Sequence, residues 1–145
     1  MMPFVTFEAF LLALRDRAQA RLCGSYSRGT EDMGDHVSDI DLVVPCVDRE
    51  DAWGDSVERP IDRAVEVFKL FGVPMESILP GQVSSPRDLK TLPRPVEVMD
   101  TAWVDPEAGA LPSREVFGVV FETHRDELWA NAIAAAALEG RSACS

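Results

Sequence analysis

Positive charge is what this chain has least of: 14 Lys and Arg stand against 25 Asp and Glu, a formal net charge of −11 over 145 residues. Gripping nucleic acid by its phosphates depends on Lys and Arg replacing counterions. A nucleic-acid partner is therefore disfavoured, which leaves nucleotides carried with a divalent metal, cationic small molecules or another protein. Histidine is nearly missing, with only His36 and His124, and the three cysteines Cys23, Cys46 and Cys144 are far apart. Those counts exclude the usual zinc spacings and a disulfide framework, so the cysteines are read as reduced thiols with no special role. There is no apolar run of membrane-spanning length, and no N-terminal combination of basic residues, apolar stretch and small-residue cleavage site. The expectation is a cytoplasmic protein with no membrane partner.

What is present is ordinary for a globular domain: 46% hydrophobic and 27% charged residues, in a length suited to one domain with a real core. Phe7, Phe10, Leu11, Leu14 and Ala18 recur at helical spacing after Thr6, a candidate cap. Arg21-Leu22-Cys23 reads as a short strand running into a Gly24-Ser25 turn and a helix start. Residues 30–37 are polar or acidic and read as a loop, and Ser38 to Val44 is the clearest strand, closed by Pro45. Pro60 opens a second helix carrying Ile61, Ala64, Val65, Phe68 and Phe71, stopped by Gly72 and Pro74. Five of the ten prolines fall between Pro74 and Pro95, counting both; this predicts an irregular excursion over the surface, a candidate lid. Val96 to Met99 reads as a strand, and Val116 to Phe121 as a further strand or the start of a helix. Thr123 with Asp126 forms a capping box for a C-terminal helix over about 123–140. This order predicts an α/β domain with a small mixed β-sheet and flanking helices.

One stretch carries chemistry. In Ser38-Asp39-Ile40-Asp41-Leu42 the two aspartates alternate with apolar residues, so a strand puts both carboxylates on one face, about 7 Å apart along the chain. Like charges that close repel unless a cation sits between them. Upstream, a Gly24-Ser25 turn at a helix start offers backbone N–H groups and a hydroxyl to a phosphate. A divalent ion between phosphates and carboxylates would cancel the repulsion, and a third carboxylate on a neighbouring strand would complete a two-metal site. Glu97 is the candidate. Asp100 is its competitor, on the opposite side of the same strand.

These residues, Gly24-Ser25 followed by Asp39-Ile40-Asp41-Leu42, resemble the signature of the nucleotidyltransferases of the DNA polymerase β superfamily. The similarity covers residues 5 to 100 and is concentrated in positions 24 to 44. It implies a polymerase β-like palm fold, two Mg²⁺ or Mn²⁺ ions and a nucleoside triphosphate, with ATP the expected one. It implies that Asp39, Asp41 and Glu97 hold metal, Val96-Glu97-Val98 matching the family's third acidic strand with Glu in place of Asp. Gly24, Ser25 and Arg28 would hold the phosphates, with Ser38 also lending itself to the nucleotide. The activity implied is transfer of a nucleoside monophosphate onto a hydroxyl of a protein or cationic small-molecule acceptor, releasing pyrophosphate.

Three departures stand out. Thirteen residues separate Ser25 from Asp39, more than the family pattern has, and the added loop carries Glu31, Asp32 and Asp35. The third acid is a glutamate. No second substrate-binding domain accompanies the first, so the chain looks like a minimal member. The alternative is an antitoxin-like or other partner-binding protein that keeps the fold with little or no catalysis.

Overall fold

The computed structural model describes residues 2–24, 26, 39–45, 59–76, 81–88, 90–101 and 113–124. Its first helix, α1, spans Phe4–Ala18 and buries Phe7, Phe10, Leu11, Leu14 and Ala18, the five residues at helical spacing. It starts before Thr6, which lies inside the first turn and caps nothing. The carbonyl of Pro3 accepts the Phe7 N–H at 2.9 Å, and proline, having no N–H to satisfy, suits the entrance to a helix.

The second helix, α2, spans Pro60–Leu70 with Pro60 in its first turn, and the Asp62 carboxylate accepts the Arg59 N–H at 3.3 Å. Its buried residues are Pro60, Ile61, Ala64, Val67 and Phe68, with the expected Val65 and Phe71 half-buried against the same cluster, so Val67 is the addition to the core stripe. Gly72 turns left-handed at φ 68°, and the Val73 N–H closes back on Phe68 O at 2.8 Å. The two helices pack on each other through Phe10 and Phe68, whose rings meet edge-on at 5.1 Å.

Four strands form a mixed sheet: β1 (Arg21–Cys23), β2 (Ile40–Pro45), β3 (Gln82–Ser84) and β4 (Val96–Thr101), in the order β1-β2-β4-β3. The central pair β2 and β4 is parallel, and both outer pairs are antiparallel. Leu22, Ile40, Leu42, Val44, Val83, Val96 and Val98 join the helix side chains in one buried cluster. The helices thus cover one face of the sheet, and the other carries Asp41, Glu97, Gln82 and Ser84 together with the apolar Val43 and Met99.

Between Pro74 and Pro95 the described residues are irregular, as expected, except for β3. Gln82-Val83-Ser84 alternates polar and apolar, so Val83 enters the core while its backbone extends the sheet. The chain just beyond it is pinned to β4: the Ser85 N–H donates to Val96 O at 2.9 Å, and Ser85 Oγ accepts the Val96 N–H at 2.8 Å.

The region 116–121 is neither one strand nor a helix start. It is the tip of a hairpin of β5 (Ser113–Val116) and β6 (Val119–Glu122), turned by Phe117 and Gly118, both at positive φ (48° and 84°) as a tight two-residue hairpin turn requires. The hairpin lies beside β1. Thr123 bridges Leu22 in parallel, the His124 N–H donates to Leu22 O at 2.7 Å, and both residues are buried. Arg21 also reaches Glu122 at 3.5 Å; burial lowers its pKa from the ordinary value while Glu122 opposes the shift, and an arginine stays charged through either. Thr123 and His124 thus continue the extended pairing, a backbone state that an N-cap residue also adopts, and Asp126 with the expected C-terminal helix lies outside the described residues. No helix among those described is long and apolar enough to cross a membrane. The architecture is mixed α/β with a small mixed sheet.

Candidate functional site

The alternation of β2 decides where the acids go. Ile40, Leu42 and Val44 are buried against the helices, so Asp41 points to the opposite face. The parallel register sets Asp41 beside Glu97 on β4. Asp39 comes one residue before β2, at the point where the Ile40 N–H donates to Pro95 O at 2.8 Å. Each of Asp39, Asp41 and Glu97 is half-buried and offers a carboxylate oxygen, and these oxygens all lie within 4.8 Å of one another.

That arrangement fits a hard cation. The donors are all oxygen, the set preferred by Mg²⁺, Mn²⁺ and Ca²⁺ over softer metals. Oxygens on opposite sides of an ion bound at about 2.0–2.6 Å stand about 4–5 Å apart, so the three need only small rotations to close on one. Asp100 takes no part. It alternates to the side of Val96 and Val98, beyond the core, where a Cβ added at Gly81 would overlap its carboxylate and the Asp100 N–H donates to Gly81 O at 2.8 Å.

Gly24 follows β1 directly, in the register where Cys23 pairs with Asp41. Its φ is 69°, and a Cβ there would overlap Asp41 Oδ2 and stand 3.1 Å from Asp41 Cβ. Only glycine lets the backbone both turn left-handed and lie against this carboxylate. Tyr26 belongs with Gly24 to a helical turn and is buried in the main core, so it packs rather than stacks on a ligand. Ser25, Arg28, Ser38 and the loop 30–37 lie outside the described residues.

Three groups at the site have no place in the motif. Arg87 Nη2 lies 2.9 Å from Asp39 Oδ2, and Gln82 Nε2 donates to Glu97 Oε1 at 2.6 Å. With Glu76 and the acids Asp39 and Glu97 they line a cleft of about 200 Å³ on the polar face of the sheet. Gln82 orients one carboxylate and Arg87 neutralises another. A signal for Gln82 exists in the sequence, since Gln82-Val83-Ser84 is a one-turn alternation flanked by Gly81 and Pro86. Nothing local marks Arg87. Comparison with protein-family models, with curated proteins and with solved structures finds no match for the chain.

Proposed function

We propose that the chain is a metal-dependent nucleotidyltransferase with the polymerase β-like palm fold, moving an NMP, with ATP the expected donor, onto a hydroxyl of a protein or cationic small-molecule acceptor. The observation that carries this reading is the convergence of Asp39, Asp41 and Glu97 oxygens within 4.8 Å, beside a glycine that no other residue can replace. The parallel pairing of β2 with β4, which sets Asp41 against Glu97, supports the fold assignment.

Asp39 and Asp41 would hold two Mg²⁺ or Mn²⁺ ions and Glu97 one of them; when bound, the ions neutralise the triphosphate and activate the attacking hydroxyl. The acceptor oxygen bonds to the α-phosphorus as the bond to the β-bridging oxygen breaks, and pyrophosphate leaves. Glu97, its Oε1 already oriented by Gln82, receives the hydroxyl proton. Gly24 and Ser25 bring backbone N–H groups to the phosphates, with Arg28 and Ser38 as further contacts. Catalysis by such a site is mainly positioning and charge neutralisation.

The test is incubation with each of the four NTPs and Mg²⁺ or Mn²⁺, following pyrophosphate release and the intact mass of candidate acceptors. Asp41→Asn should lower turnover by about a hundredfold or more. One observation favours the partner-binding alternative: Arg87 already supplies a cation to Asp39. Absence of turnover with every nucleotide and either metal, or turnover that Asp41→Asn leaves unchanged, decides for that alternative.

A further inference from the structure

We propose that Arg87 is a two-position residue, paired with Asp39 when the acidic set holds no metal and moved onto the nucleotide's polyphosphate when it does. The proposal rests on the metal-site reading above and names the group that carries the anionic end of the substrate.

The two partners of the ion pair are unequal. The Asp39 side chain is 14% exposed and fixed at the mouth of β2, whereas the Arg87 side chain is 75% exposed. The guanidinium can leave without opening the core; the carboxylate cannot follow it. An ion pair so exposed on one side contributes little to stability. Its chemical consequence is larger, because Asp39 Oδ2 is engaged at 2.9 Å by Arg87 and Asp39 also belongs to the set whose oxygens converge within 4.8 Å. Guanidinium and metal therefore draw on one carboxylate, and the positive charge of each disfavours the other there.

The backbone under Arg87 is held in place. Ser85 is locked to Val96 by two hydrogen bonds at 2.9 and 2.8 Å, and the Pro86 ring fixes its own φ and limits Ser85 before it, so Arg87 follows a fixed base at the cleft. Among the described residues lining that cleft, Asp39, Glu76 and Glu97 are acidic and Arg87 is the cation. A triphosphate entering here meets repulsion from three carboxylates. Arg87, displaced from Asp39, is the described group able to meet it, and its planar fork matches phosphate oxygens bidentately.

Competition followed by co-operation gives opposite signs that a purely structural arginine does not produce. Mn²⁺ binding to the full chain, without nucleotide, can be followed by the electron paramagnetic resonance of unbound Mn²⁺. Binding of an ATP analogue with a non-cleavable α,β-methylene bridge can be followed by calorimetry at saturating Mn²⁺. Arg87→Gln should tighten Mn²⁺ about two- to fivefold, the value of a lost exposed ion pair, and weaken the analogue about tenfold or more, as for a lost charged hydrogen bond. Arg87→Lys should recover part of the analogue affinity. An unchanged melting temperature in both variants keeps folding out of the comparison. If Mn²⁺ binds but Arg87→Gln leaves its affinity unchanged or weaker, or leaves the analogue unaffected, Arg87 is a surface ion pair and the proposal is overturned. If the wild-type chain binds no Mn²⁺, the metal-site reading itself falls, and the role of Arg87 with it.

Discussion

The two faces of the central strands are built from the same residues in alternation and do opposite things. On one, Ile40, Leu42, Val44, Val96 and Val98 are sealed under α1 and α2. On the other, Asp41 and Glu97 stand side by side within reach of Asp39, with Gln82 and Arg87 at their edges. The first face gathers apolar surface out of water and supplies the stability. The second gathers like charges that favour unfolding until a cation is shared among them. A strand of period two can hold both because each residue's neighbours in sequence belong to the other face. The price of a charge cluster on one side is met by apolar packing one residue away.

The largest expected effect lies on the packed face. Phe68 is fully buried and meets Phe10 at 5.1 Å and 75°, so Phe68→Ala should lower the unfolding free energy by about 3–5 kcal/mol. Urea denaturation measures it. The folded fraction should keep its metal affinity, because no atom of Phe68 belongs to the polar face. A loss of Mn²⁺ binding in chain that remains folded would break the separation of the two faces.

A second prediction sharpens the separation within one strand. Glu97 and Asp100 are three residues apart on β4 and alternate to opposite sides. Glu97→Gln should lower nucleotidyl transfer by about a hundredfold, near 2.7 kcal/mol of transition-state stabilisation, and Asp100→Asn should change it by less than about threefold. Full activity in Glu97→Gln with loss in Asp100→Asn would mean that the working register of β4 differs from the one that pairs Asp41 with Glu97.

How much of this was legible beforehand follows the same division. Strong periodicity announced α1, α2 and β2, and the Asp-Ile-Asp alternation put Asp39 and Asp41 on one face, whereas Glu97 was named through the likeness of Val96-Glu97-Val98 to the family's third acidic strand; the fold brings the three together. What escaped depends on long-range pairing. β3 is three residues long and takes its conformation from β4, and the Phe117-Gly118 turn hides in an apolar run because a phenylalanine occupies a positive-φ position. Val67 is buried more deeply than Val65, which only packs against the cluster, because the stripe on α2 is set by where α1 lies, which local spacing leaves open. Arg87 was invisible for the simplest reason. An exposed arginine in a proline-rich stretch looks like any other, and only the pinning of Ser85 to Val96 brings it over Asp39.

The smallest effect is the most discriminating, because its sign should reverse. Without metal, Glu97 faces two aspartates whose oxygens lie within 4.8 Å, and Arg87 offsets the charge of Asp39 alone. Glu97→Gln keeps an oxygen to accept the Gln82 amide while removing one negative charge. It should therefore raise the melting temperature in EDTA by about 2–4 °C, equivalent to about 1 kcal/mol in a chain of this size. The gain should shrink in about 1 M salt, where the screening length falls to about 3 Å. With Mn²⁺ in excess the order inverts, since a ligand that binds only the folded state stabilises by RT ln(1 + [L]/Kd), and the wild-type set binds it more tightly. An acidic face that had gathered by chance would show the first effect without the inversion, and a face built around a cation requires both.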